Sequence, residues 1–291
     1  MLALDNGKYV SQLTDPVRRM LRGIRHVSLD MDGTIYLGST LFPYTLSFLE
    51  KLGRLGIDYC FLTNNPTKSL DDYIAKLRKL GVPCSDGQMY STTAAAIDYI
   101  KAHYPSARRL FLLGTPSMIS QFEAAGFISC ADDPADRPDA VVAAFDTTLT
   151  YSRLCRCTWW ASHADIPYIA TNPDWVCPTD EQTILVDCGS ICACIAAACG
   201  RKPDVVIGKP NPGILLGILE KNGIRPDEAA MIGDRLYTDV KTALNAGSCG
   251  VLVLSGETSL ETALASAPEG RATLICENIE ELGNLLEDSR R

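Results

Sequence analysis

Short apolar runs alternate with amphipathic helical stretches along most of this chain, and such an alternation folds stably in few ways, chiefly as a parallel sheet covered by helices on both faces. The first run, Val27-Ser28-Leu29, ends in Asp30-Met31-Asp32-Gly33-Thr34. Helical spacing follows over residues 44–55, stopped by Gly56. A second apolar run, 57–62, ends in Thr63-Asn64-Asn65-Pro66, and a second helix, 69–80, is stopped by Gly81 and Pro83. A middle series has helices over 94–102, 117–125 and 152–163 and strands over 110–113, 140–145 and 168–170. A third series has strands at 205–207, 229–232 and 250–254, helices at 212–221 and 238–246, and a closing helix at 278–288. The fold class is therefore α/β. The expected division is a core of residues 1–88 and 204–291 with an inserted α/β unit at 89–203; residues 1–22 receive no role.

Three of these strands end in polar residues: Asp30 and Asp32, then Thr63 and Asn64, then Asp234. Ligand sites in open parallel sheets lie beyond the carboxyl ends of the strands, so these residues are expected to meet although they are far apart in sequence. Lys209 joins them from Gly208-Lys209-Pro210-Asn211-Pro212, which cannot be strand or helix interior. Two carboxylates one residue apart at a strand end, with a turn glycine beyond, suit a nucleophile and a proton donor. In that reading Asp30 attacks phosphorus, and Asp32 protonates the leaving oxygen and later activates water. Gly33, Thr63, Asn64 and Lys209 hold phosphate. Asp30, Asp32, Asp234 and Asp239 form a hard oxygen set for Mg²⁺, with Asp239 supporting the metal through water or orienting Lys209. An Asp-x-Asp-Gly run also opens calcium loops, but the position that needs glutamate there is Leu41.

Net charge is −8, which argues against a broad basic face for nucleic acid. It also makes a phosphate substrate dependent on a cation, since like unit charges about 4 Å apart repel by about 4 kcal/mol at an intermediate dielectric. No apolar run approaches the roughly 18 residues of a membrane helix, and the mixed, charged N-terminus lacks signal-peptide character, so the expected location is the cytoplasm. Twelve cysteines without a CxxC pair are expected to be reduced. Cys188, Cys192 and Cys199, with Cys194 offset, fit one side of a helix as small buried hydrophobes.

As a set, Asp30-Met31-Asp32-Gly33-Thr34, Thr63-Asn64-Asn65, Gly208-Lys209-Pro210 and the run from Gly233-Asp234 to Asp239 resemble the four motifs of the haloacid dehalogenase-like hydrolases. The large insert between the second and third motifs is similar to class IIA, which includes p-nitrophenyl phosphatases, phosphoglycolate phosphatases and nucleotide monophosphatases. The resemblance runs from about His26 to Ser259 and takes in Ala170-Thr171-Asn172-Pro173-Asp174 and Ser255-Gly256-Glu257-Thr258. It implies a Rossmann-like doubly wound core with a mobile cap, Mg²⁺-dependent hydrolysis of phosphate monoesters, and Asp30, Asp32, Lys209, Asp234 and Asp239 in the roles above. One departure is Val186-Asp187-Cys188-Gly189-Ser190, where the family carries a Pro-Gly-x-Gly loop and only Gly189 matches.

A cap that closes over the substrate contacts its non-phosphate part, which makes Thr171, Asn172 and Asp174 the candidates for specificity, with a plain Asx turn as the competing reading. Trp159 and Trp160 are assigned to the cap core or to a subunit contact, so a homodimer through the cap is a further expectation. The expected partner is a small phosphorylated metabolite. Phosphoryl transfer to an acceptor other than water, and non-catalytic binding of a sugar phosphate, stay open as alternatives.

Overall fold

A computed structural model describes residues 1–177 and 182–291. The chain divides into two compact units, one of Met1–Leu62, Ile74–Met89 and Lys209–Arg291, the other of Thr63–Tyr73 and Tyr90–Gly208.

The first unit is built on a sheet whose strand order is Lys8–Val10, Leu2–Asp5, Leu274–Cys276, Cys249–Val253, Ala229–Gly233, His26–Leu29, Asp58–Thr63 and Met89–Ser91. The four pairings from Leu274–Cys276 across to Asp58–Thr63 are parallel. Val27, Leu29, Phe61, Leu62, Met231, Ile232, Val251 and Leu252 are all buried, as expected for strands covered on both faces. From His26–Leu29 the chain winds outward in one direction, and from Ala229–Gly233 in the other. These two strands are neighbours, so the topological switch point lies between them. Their register pairs Val27 with Ala230 and Leu29 with Ile232, and the Asp30 amide extends the ladder to the Ile232 carbonyl at 2.8 Å. Asp30 and Asp234 therefore leave the sheet side by side.

The N-terminal residues form an antiparallel hairpin, Leu2–Asp5 with Lys8–Val10, added to the edge strand Leu274–Cys276, and are followed by the helix Asp15–Gly23. Sequence reading missed both edge elements because strands of three or four residues are too short to carry a period. It also merged two elements into one helix: a wide π-helical turn at Leu236–Val240 precedes the helix Lys241–Ala246. In that turn the amides of Asp239 and Val240 both reach the Arg235 carbonyl, at 3.1 and 3.2 Å.

The second unit has a parallel sheet in the order Val205–Val206, Tyr168–Ala170, Ala140–Ala143, Arg109–Leu113, Ile128–Ser129. Its core joins Phe111, Leu113, Val141 and Tyr168 to Trp160, Cys157, Cys188 and Cys192 from the helices Tyr151–Ala161 and Cys188–Cys199. Trp160 is buried and Trp159 is exposed. Among the described residues, no helix is long and apolar enough to cross a membrane.

Candidate active site

The turn after His26–Leu29 is tight. The Met31 carbonyl accepts the amides of Thr34 and Ile35, and Gly33 sits at φ +79°, a left-handed conformation that glycine adopts without penalty. This turn leaves Asp30 facing the end of Ala229–Gly233. Lys209 Nζ lies 2.6 Å from Asp30 Oδ1 and 2.6 Å from Asp239 Oδ1. One ligand oxygen from each of Asp30, Asp234 and Asp239 falls within 4.8 Å of the others. Three segments distant in sequence, at Asp30, Lys209 and Asp234 to Asp239, thus deliver three carboxylates and one ammonium to one place.

Access is uneven across the group. The Lys209 and Asp239 side chains keep 4% and 1% of their surface, whereas Asp30 keeps 16%, which is the opening an incoming group needs. Burial pushes Asp30 up to about 7, with Asp239 and Asp234 adding to the rise and Lys209 opposing it. Burial likewise lifts Asp234 to about 6, and Asp239 adds to that. For Lys209, burial alone would favour the neutral amine, but Asp239 and Asp30 outweigh it and hold the ammonium firmly charged. Three acids against one base leave negative charge uncompensated, and hard oxygens from several carboxylates suit a divalent cation such as Mg²⁺. The donor set therefore fits that ion.

Asp32 is exposed, and its carboxylate stands apart from the three-acid cluster. The strand ends at Leu29, so Asp32 lies in the turn beyond it and does not share a strand face with Asp30. Thr63 is the last residue of Asp58–Thr63, and its Oγ1 accepts the Asn65 amide at 3.2 Å. Asn64 donates from Nδ2 to Asp174 Oδ2 at 2.8 Å. Thr171 and Asn172 are buried and bonded to each other, Oγ1 to Oδ1 at 2.9 Å. Asn172 Nδ2 also donates to Asp187 Oδ1 at 2.9 Å and to Asp174 Oδ2 at 3.2 Å. The side chains of Thr171 and Asn172 are thus committed to an internal polar network.

Sequence reading assigned no task to Arg235 or Glu257. The Arg235 Nε lies 2.8 Å from Glu257 Oε2, and the Glu257 amide donates to Asp234 Oδ2 at 2.7 Å. The signal for them was present: the strand Cys249–Val253 runs toward Ser255-Gly256-Glu257-Thr258, the same apolar-to-polar pattern that marked the other strand ends.

Comparison with known proteins agrees with this geometry. A family model described as haloacid dehalogenase-like hydrolase matches residues 27–128, and a second, HAD-hydrolase-like, matches residues 206–282. An acid sugar phosphatase of Staphylococcus aureus is 30% identical over 233 residues, covering 80% of this chain and 87% of that protein. The crystal structure of a 4-nitrophenylphosphatase from Thermotoga maritima is similar at a TM-score of 0.85 and 40% identity, over 91% of this chain and 98% of the other. A glycerol phosphate phosphatase from Mycobacterium tuberculosis in complex with magnesium is similar at a TM-score of 0.82 and 27% identity, over 91% and 78% of the two chains.

Proposed function

Because the chain belongs to the haloacid dehalogenase-like hydrolases, we propose that it is a phosphatase that hydrolyses small phosphate monoesters with Mg²⁺ through an aspartyl-phosphate on Asp30. The observation that carries this reading is the Lys209 ammonium bridging Asp30 and Asp239 at 2.6 Å on each side, next to Asp234. An ammonium so placed holds one oxygen of Asp30 and leaves the other free to attack.

In the first step that free oxygen bonds to phosphorus as the ester P–O bond breaks, and the Asp32 carboxyl gives its proton to the departing alkoxide. In the second, Asp32, now a carboxylate, takes a proton from water, the water oxygen bonds to phosphorus, and the bond to Asp30 breaks. Inorganic phosphate leaves, and both acids return to their starting states. The exposure of Asp32 suits a group that must meet both a leaving oxygen and solvent water. Lys209 offsets charge on the nucleophile and on the arriving phosphate. Asp30 and Asp234, with Asp239 behind them and the Asp32 segment adjoining, would hold the magnesium, which when bound neutralises phosphate charge. Gly33, Thr63 and Asn64 are assigned to the phosphate oxygens.

The inserted unit, 89–203, is proposed as the cap that sets substrate preference, with Thr171, Asn172 and Asp174 shaping it through their internal network. The activities named for the acid sugar phosphatase and the glycerol phosphate phosphatase support sugar and polyol phosphates as the substrate class. The test is Asp30→Asn assayed with p-nitrophenyl phosphate and a panel of sugar phosphates. Turnover is expected to vanish while the fold survives, and retention of most activity excludes Asp30 as nucleophile.

A further inference from the structure

We infer that the loop Ser255-Gly256-Glu257-Thr258 is a positioning element that aims the Asp234 carboxylate at the metal, with Gly256 and Ser255 as its decisive residues. The inference rests on the proposed reading of the acid cluster as a magnesium site. The loop grips Asp234 twice: the Glu257 amide donates to Oδ2 at 2.7 Å and the Thr258 amide to the Asp234 carbonyl at 3.2 Å. A backbone N–H on a carboxylate is a charge-assisted bond, so one oxygen is fixed and the rotation of the carboxylate is fixed with it. The other oxygen is then the one left for the cluster.

No spare volume separates the parts. A Cβ on Gly256 would overlap the Asp234 carboxylate, and the space where a Gly33 side chain would begin is filled by Asp234 Oδ2 and the Gly256 Cα. Ser255 ties the same loop to the nucleophile turn by donating from its hydroxyl to the Gly33 carbonyl at 2.7 Å. A single loop therefore sets the spacing between the Asp30 turn and Asp234. Glu257 extends the grip outward, with Arg235 at 2.8 Å and the Tyr237 hydroxyl donating to Oε1 at 3.2 Å. Ser255, Gly256, Glu257, Arg235 and Tyr237 are themselves assigned no step in the chemistry.

The test is a calorimetric titration of purified wild type, Asp234→Asn, Gly256→Ala and Ser255→Ala with MgCl₂, alongside kcat as a function of magnesium concentration. Groups that orient a metal ligand typically contribute about 10- to 100-fold to affinity, so Gly256→Ala is expected to weaken magnesium binding by about 10-fold or more. Its kcat is expected to recover toward wild type at saturating magnesium, which a generally distorted fold would not allow. Ser255→Ala adds no atom and is expected to weaken binding in the same direction; it decides the matter if Gly256→Ala does not fold. Unchanged magnesium affinity in the folded variants, with wild type binding normally and Asp234→Asn not binding, overturns the role of the loop alone. Absence of binding to wild type overturns the metal site and the loop with it.

Discussion

Lys209 Nζ stands 2.6 Å from Asp239 Oδ1, and both side chains are almost wholly enclosed. A buried ammonium survives only with partners, and this one is shared between Asp239 and the nucleophile candidate Asp30. Lys209→Met leaves three carboxylates facing one another with no cation. The expected cost near about pH 8 is about 3–5 kcal/mol of unfolding free energy, and turnover is lost. Near about pH 5 the deficit shrinks, because Asp30 and Asp234 can take up protons there. Denaturant titrations at the two pH values check this, and an equal deficit at both contradicts it.

Magnesium and protons compete for the same carboxylates. Asp30 and Asp234, raised by burial to about 7 and about 6, hold protons in the folded protein at pH values where unfolded carboxylates have lost them. Raised acids of this kind contribute their stabilisation below the unfolded value of about 4, and it is lost as pH rises through the folded values. Metal-free protein is therefore expected to lose stability from these two groups between about pH 4 and about pH 7. Over the same window the melting-temperature gain from a fixed, subsaturating magnesium concentration is expected to grow. A gain that is flat or falls with pH argues against carboxylates as the ligands.

Asp32→Asn removes the proposed proton donor and leaves the Asp30, Lys209, Asp234 and Asp239 group intact. General acid catalysis is worth about 100- to 10,000-fold, so kcat for sugar phosphates is expected to fall in that range. p-Nitrophenolate departs without a proton, so the first step with p-nitrophenyl phosphate should suffer far less. Pre-steady-state release of nitrophenol separates the two steps; equal damage to both substrates would falsify the assignment.

Asn172 donates to both Asp174 and Asp187 while accepting the Thr171 hydroxyl, all inside the second unit. Asn172→Ala leaves a buried hydroxyl and two acids short of a partner, an expected loss of about 1–3 kcal/mol. Thr171→Val should cost less, because it removes the hydroxyl together with its need for a partner. Thermal melts of the two variants rank them, and the reverse order contradicts the network.

Much of this site was legible in the residues because the chemistry leaves a mark at strand ends. An apolar run that stops at Asp30, Thr63 or Asp234 shows where the chain leaves the sheet, and a Gly-Lys-Pro loop cannot be anything but a connection. The N-terminal hairpin and the π-helical turn before Lys241 were not legible, since short edge strands carry no periodicity and a wide turn depends on one extra hydrogen-bonded step. The role of Ser255-Gly256-Glu257-Thr258 was half visible. Its residues could be read, but the target of the Glu257 amide could not.

The sequence by itself determined the α/β alternation, the acids and the lysine available for chemistry, and the polar strand ends at which they would gather, because periodicity and side-chain type are local properties. Tertiary structure alone decided that Lys209 is shared by Asp30 and Asp239, that Asp32 stands outside the acid cluster, and that Asn172 is turned inward. Those outcomes depend on strand register and on the curvature of single turns, where a shift of one residue changes which side chains meet.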